Sequence, residues 1–162
     1  MRSSFVIAFG IGLAVIALAV GGIFFVQRED RMDLPGKILK VRTAPLDDDS
    51  SIAVLDFRLT NNSGVLFEVR TVSVELEDKA GKNYLGQPVG ESDAKRMFDA
   101  MPVLGGKYNT TLLMRDRIGA HVTEDRMIAA RFQAPVSLLD ERKRFVLRIE
   151  EVDGKSFEIP ER

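Results

Sequence analysis

The sequence contains no cysteine, no tryptophan and a single histidine in 162 residues. Without cysteine there is no disulfide, no thiol nucleophile, no Cys-ligated zinc and no lipoprotein-type cysteine anchor. One histidine assembles neither a Ser-His-Asp triad nor a His-rich metal set. His121 follows Gly119-Ala120 in a turn-like stretch and reads as loop decoration. The aromatics are 10 Phe and 2 Tyr, which offers no stacking platform for bases or sugars. Lys and Arg number 23 against 24 Asp and Glu, a net charge of −1, so nothing attracts nucleic acid broadly. No glycine loop is built to cradle phosphate, because Gly10, Gly12, Gly21 and Gly22 all lie in one apolar run. No cofactor or metal is implied, and the expectation is a protein that is not an enzyme.

What is present is the run Phe5 to Val26, FVIAFGIGLAVIALAVGGIFFV, without a charge, an amide side chain or a proline. A helix of that length spans about 33 Å, enough for a bilayer core of roughly 30 Å. Arg28, Glu29, Asp30 and Arg31 end it on one side, and Arg2 marks the other. Ala17-Leu18-Ala19 has the form of a signal-peptidase site. Cleavage there would leave Val20, Ile23, Phe24, Phe25 and Val26 at an exposed new terminus, and the run exceeds a usual signal core. An uncleaved single-pass membrane anchor is therefore expected. Gly10, Ala14, Ala17 and Gly21 recur at 4-3-4 spacing, which puts them on one helix face and permits pairing with a second span, hence a homo-oligomer. Lys37, Lys40 and Arg42 add to the positive charge after the span, but they belong to a strand, and long domains translocate largely regardless of charge. The C-terminal domain is expected outside the cytoplasm.

The chain divides into a tail (1–4), a transmembrane helix (5–26), a linker (27–36) and one domain (37–162). Lys37–Ala44 alternates and predicts a strand. Ser51–Thr60 follows, with Ala53, Leu55, Phe57 and Leu59 on one face, as a half-buried antiparallel strand requires. Phe67–Glu77 changes phase between Val69 and Val72, which predicts a bulge near Arg70-Thr71. Asp78-Lys79-Ala80-Gly81 is a turn leading to a return strand at Lys82–Leu85. Ala94, Met97, Phe98 and Met101 stand at i, i+3, i+4 and i+7, the apolar face of a short helix capped by Ser92 and ended by Pro102. Strands are expected at Tyr108–Arg115, Arg126–Phe132, Phe145–Ile149 and Ser156–Ile159, the last two joined at Asp153-Gly154. Seven to eight short strands with turn signals predict an all-β, two-sheet sandwich with one helical insert.

The strand Ala53–Leu59 with Thr60-Asn61-Asn62-Ser63, then Val72–Leu76 and Asp78-Lys79-Ala80-Gly81-Lys82, resembles the "strand, L-T-N-x-S, strand, D-x-x-G" core of small immunoglobulin-like domains. These include the FxLYD type and the water-stress and late-embryogenesis-abundant type 2 proteins. The resemblance covers Lys37 to about Lys82, and the insert at Ser92–Met101 departs from it. It implies an immunoglobulin-like antiparallel sandwich, often tethered to membranes or secreted, in a binding or structural role. It carries no catalytic residues to transfer.

Other motifs have plain readings. Asp47-Asp48-Asp49 lacks the spacing of a calcium loop and reads as a solvated turn. Glu75 with Glu77, and Glu150-Glu151, read as the wet face of a sheet. Asn61-Asn62-Ser63 and Asn109-Thr110-Thr111 match the glycosylation sequon, a pattern that recurs by chance. Ala94, Met97, Phe98 and Met101 form either an adaptable protein-binding face or a plug for the open end of the sandwich. The functional expectation is a membrane-anchored, non-enzymatic protein-interaction module, an accessory part of an envelope complex. The alternative is a structural or stress-protective tethered domain without a dedicated partner.

Overall fold

The computed structural model describes residues 2–26 and 33–162. The backbone of α1, Arg2–Val26, is helical over 25 residues. Its side chains are described at positions 9, 10 and 12–22, so the predicted span 5–26 lies partly outside the described residues. Among the described residues no helix is long and apolar enough to cross a membrane.

Among the described residues nine strands follow: β1 (Gly36–Pro45), β2 (Ser51–Thr60), β3 (Phe67–Glu77), β4 (Asn83–Val89), β5 (Thr110–Thr111), β6 (Arg117–Ile118), β7 (Thr123–Phe132), β8 (Arg144–Glu151) and β9 (Ser156–Pro160). Between β4 and β5 lie α2 (Glu91–Ala100) and a 3-10 turn at Pro102–Leu104, and α3 (Val136–Asp140) precedes β8. The main path runs β1-β2-β7-β4-β3-β8-β9. It folds at β4 into two layers, β1-β2-β7 with the end of β4, and β9-β8-β3 with its beginning. The side chains that alternate inward from both layers form one apolar core, with Leu55, Phe57, Leu59, Ile128 and Phe132 against Phe67, Val74, Leu76, Phe145 and Leu147. The Phe132 and Phe145 rings meet across it at 5.7 Å. The chain is thus a β-sandwich, and β2 and β3 begin and end at the residues the alternation predicts.

The predicted phase change in β3 is a bulge: the register against β8 shifts between Val69 and Thr71. Phe67 and Val69 before it, and Val72, Val74 and Leu76 after it, are all buried. The extra residue at Arg70 keeps both halves of the strand facing the core.

Why β4 changes partner follows from its sequence. The Asp78 N–H donates to the Lys82 carbonyl at 3.0 Å, and the register continues through Leu76↔Tyr84 and Val74↔Gly86. Backbone bonds in an antiparallel ladder fall on every second pair. The next bonded pair would be Val72 with residue 88, and Pro88 has no N–H to give. The ladder with β3 ends at Gly86, and Gln87, Pro88 and Val89 pair instead with Arg131, Ala130 and Ala129 of β7. Gly86 sits at the crossing because a Cβ there would come within 2.6 Å of the Phe132 ring.

Candidate functional site

Three regions outside the inter-sheet core bear on function. The first is the outer face of the β1-β2-β7 layer. Ala44, Ile52, Val54, Met127 and Ala129 make that face apolar, and Ala94, Phe98 and Leu104 cover it, with Met97 and Met101 packed at the margin. The predicted helix exists, but its apolar face neither stands free nor plugs an end of the sandwich. Ala94 and Phe98 are buried, and Met97 and Met101 are half-buried. The predicted Ser92 cap is also displaced. The helix starts at Glu91, its N-cap is Gly90 in extended conformation, and no side chain caps it. Glu91 fixes this start instead, because its carboxylate takes the Thr111 N–H at 3.0 Å and the Lys107 ammonium at 2.7 Å. Burial alone would raise the Glu91 pKa, but these partners hold it down at about 2.

A buried ion pair anchors the far end of the insert. Arg42 on β1 meets Asp56 on β2 at 2.6 Å, with both side chains under a tenth exposed. Arg42 also donates to the Leu104 and Gly106 carbonyls at 2.6 and 2.8 Å. Its guanidinium lies 4.9 Å from the Phe98 ring centre. Asp56 accepts the Asn109 amide at 2.9 Å. A removed partner here would leave a buried charge, which is costly. Each of these groups is engaged in holding the insert to the sheet.

The second region is the gap left where β3 and β4 part. It is a groove of about 270 Å³ lined by Val72, Pro88, Val89, Leu112, Met114 and Ile128, among others. By the ladder alternation, the backbone of Val72 points into it where β4 supplies no donor. Beyond the groove the segment after β5 closes the gap. β5 pairs with β7 and β6 pairs with β3, so residues 110–118 pass from one layer to the other.

The third region is the end of the sandwich where the chain enters β1, and Asn61 organises it. Its side-chain amide donates to the carbonyls of Val65 (2.8 Å), Ile118 (3.2 Å) and Gly119 (3.1 Å). Its side-chain oxygen accepts from the N–H and hydroxyl of Ser63 at 3.0 and 2.6 Å. Asn61 is fully buried, so this sequon is a structural lock on the loop between β2 and β3. The L-T-N-x-S motif therefore does its work through packing and hydrogen bonds. Asn109, in the other sequon, holds Asp56 as described.

The remaining polar motifs are also placed. His121 is exposed in a turn at φ 57°. Asp47 accepts the Ser50 hydroxyl and the Asp49 N–H within its own turn, and these bonds hold its carboxyl below the usual range. Glu77 binds Lys143 and Arg144, which lower its pKa despite some desolvation. Glu150 meets Thr71 at 3.0 Å and Arg70 at 3.5 Å. Glu151 departs from the wet-face reading. It follows Phe145, Leu147 and Ile149 on the core side of β8 and is 2% exposed. Burial, and then the charge of Asp153, pushes its pKa up, and its Oε2 is buried without a hydrogen-bond partner. Among the described residues no three His, Asp or Glu are grouped to hold a metal ion. In α1, Gly10, Ala14, Ala17 and Gly21 are all exposed.

No protein-family model matches the chain, and no curated protein matches it. Solved structures with some likeness include the ApaA protein of Bordetella pertussis, at 13% identity and a TM-score of 0.36, covering 81% of this chain and 89% of that one. Another is an uncharacterised β-sandwich protein from Clostridium difficile 630, at 12% identity and a TM-score of 0.35, covering 82% of each chain. At such scores the fold rests on this chain's own strand pairing.

Proposed function

We propose that the chain is a membrane-anchored, non-enzymatic interaction module, held by α1 as a single span, with its sandwich outside the cytoplasm. The observation that carries this is the helix itself. The run Phe5–Val26 has no polar side chain stronger than a backbone group, and Phe9, Leu13, Val15, Ile16 and Leu18 are all exposed. Contiguous apolar surface of that extent needs a lipid or protein environment. The layer order, β1-β2-β7-β4 over β9-β8-β3, supports an immunoglobulin-like reading, because such domains set A-B-E-D over G-F-C.

The insert face Ala94, Met97, Phe98 and Met101 is occupied by the sheet, so the groove beside Val72 and Pro88 is the better surface for a partner. The stripe Gly10, Ala14, Ala17 and Gly21 supports close approach of a second copy in the bilayer. A topology reporter fused after Arg162 tests the orientation; cytoplasmic activity contradicts it. Photo-crosslinking from position 114, beside the groove, tests the interaction role. A single recurrent adduct supports it, and the absence of any specific adduct favours the structural alternative.

A further inference from the structure

The end of the sandwich at which the chain enters carries a feature that the interaction reading leaves unused. Four large apolar side chains are exposed there on three separate loops: Val65 (39%), Leu66 (51%), Val122 (38%) and Val152 (47%). Backbone hydrogen bonds tie these loops to one another and to the incoming chain. The Thr60 N–H donates to the Pro35 carbonyl, and the Asn62 N–H to the Asp33 carbonyl. The Asn61 N–H donates to the Val122 carbonyl, and the Val152 N–H to the Glu68 carbonyl. The Asn61 side chain joins Val65 to Gly119. The four apolar tips are therefore held at one end.

That end is also the one tied to the apolar helix. Leu34 is buried in the core cluster and fixes the chain as it enters. Six residues, 27–32, separate Val26 from Asp33, and that stretch of chain reaches at most about 25 Å. The turn Asp78–Gly81 lies at the opposite end, a full β3 length away.

We propose that this end rests on a lipid bilayer, with Val65, Leu66, Val122 and Val152 seated in the interfacial layer. The inference rests on the membrane reading of α1. Apolar tips in the boundary between headgroups and acyl chains are driven by buried apolar area. The charges in these segments are mixed in sign: Asp33 and Lys37 flank the start of β1, Asp153 and Lys155 stand in the turn after β8, and Glu68 pairs with Arg117 at 2.9 Å. A zwitterionic surface is therefore sufficient, and the contact does not depend on anionic lipid. It fixes the domain upright on the membrane.

The absence of cysteine makes the test clean. Single cysteines placed by Leu66→Cys, Val152→Cys, Ala80→Cys and Ala14→Cys are labelled with a fluorophore in the full chain, reconstituted in phosphatidylcholine vesicles. Quenching by spin-labelled lipid is then measured. The expected result is strong quenching at position 14, and at 66 and 152 quenching about twofold or more above that at 80, given an interfacial depth of roughly 5–10 Å. Quenching at 66 and 152 equal to that at 80, with position 14 still quenched, overturns the surface contact and leaves the anchor standing. No quenching at position 14 overturns both.

Discussion

At the scale of single residues, two buried polar groups act in opposite directions. Asn61 has every polar atom satisfied, and its five bonds join the loop after β2 to the turn before β7. Asn61→Ala takes one donor from each of three carbonyls, of which Val65 keeps the Ser63 hydroxyl and Gly119 the Val122 N–H, and removes the side-chain acceptor of the Ser63 N–H; stability is expected to fall by roughly 1–3 kcal/mol in denaturant unfolding. Glu151 is the reverse case. Its folded pKa lies above its ordinary 4.5 because burial disfavours the charge. The folded state thus holds the proton more tightly than the unfolded state does. The Glu151 contribution to stability is therefore fully present below about pH 4.5 and is lost as pH rises through the raised value. Glu151→Gln removes that decline, so unfolding curves of the two proteins should diverge with increasing pH, the variant being the more stable at neutral pH. Parallel pH profiles would contradict the assignment. Neither role is visible in sequence. Asn61 sits in a motif that reads as a chance sequon, and Glu151 follows Glu150 in what reads as a solvated pair.

At the scale of elements, the strands were legible and the covering of their second face was not. β2 and β3 could be bounded from alternation and the turn residues beside them, and the change of phase in β3 announced its bulge. The outer cluster had a signal too. Ile52 to Leu55 is apolar without interruption, as is Met127 to Ala130, and solid apolar runs mark strands covered on both sides. The helix with Ala94 and Phe98 supplies that second cover. The strand expected over Tyr108–Arg115 is realised only as β5, Thr110–Thr111, because the chain leaves β7 there to cross to the other layer; β6 and α3 are too short for any periodicity to reveal them. Phe98→Asp tests the insert. It places a charge against Val54 and Met127 and should cost roughly 3–5 kcal/mol, read as loss of α2 protection in hydrogen exchange. Retained stability would free that face for a partner. Pro88→Val tests the ladder argument. The new amide at 88 should bond toward Val72 and exchange as slowly as that of Gly86, with a net stability change of about 1 kcal/mol or less. Fast exchange at 88 would show that the strands part for another reason.

At the scale of the whole molecule, a cysteine-free sandwich is joined to an apolar helix by a short tether. The core, the covered outer face and the ion pair beneath the insert together give the domain its stability without disulfides. The helix α1 has a 25-residue backbone and exposed apolar side chains at every large residue described between Phe9 and Val20. It is the feature on which the proposed location, the upright contact and the pairing stripe all depend. The most direct test is alkaline carbonate extraction of membranes from cells producing the full chain, beside a chain lacking residues 1–26. The full chain is expected to stay in the membrane pellet until detergent is added, while the truncated chain appears in the supernatant. Release of the full chain by carbonate alone would contradict the account.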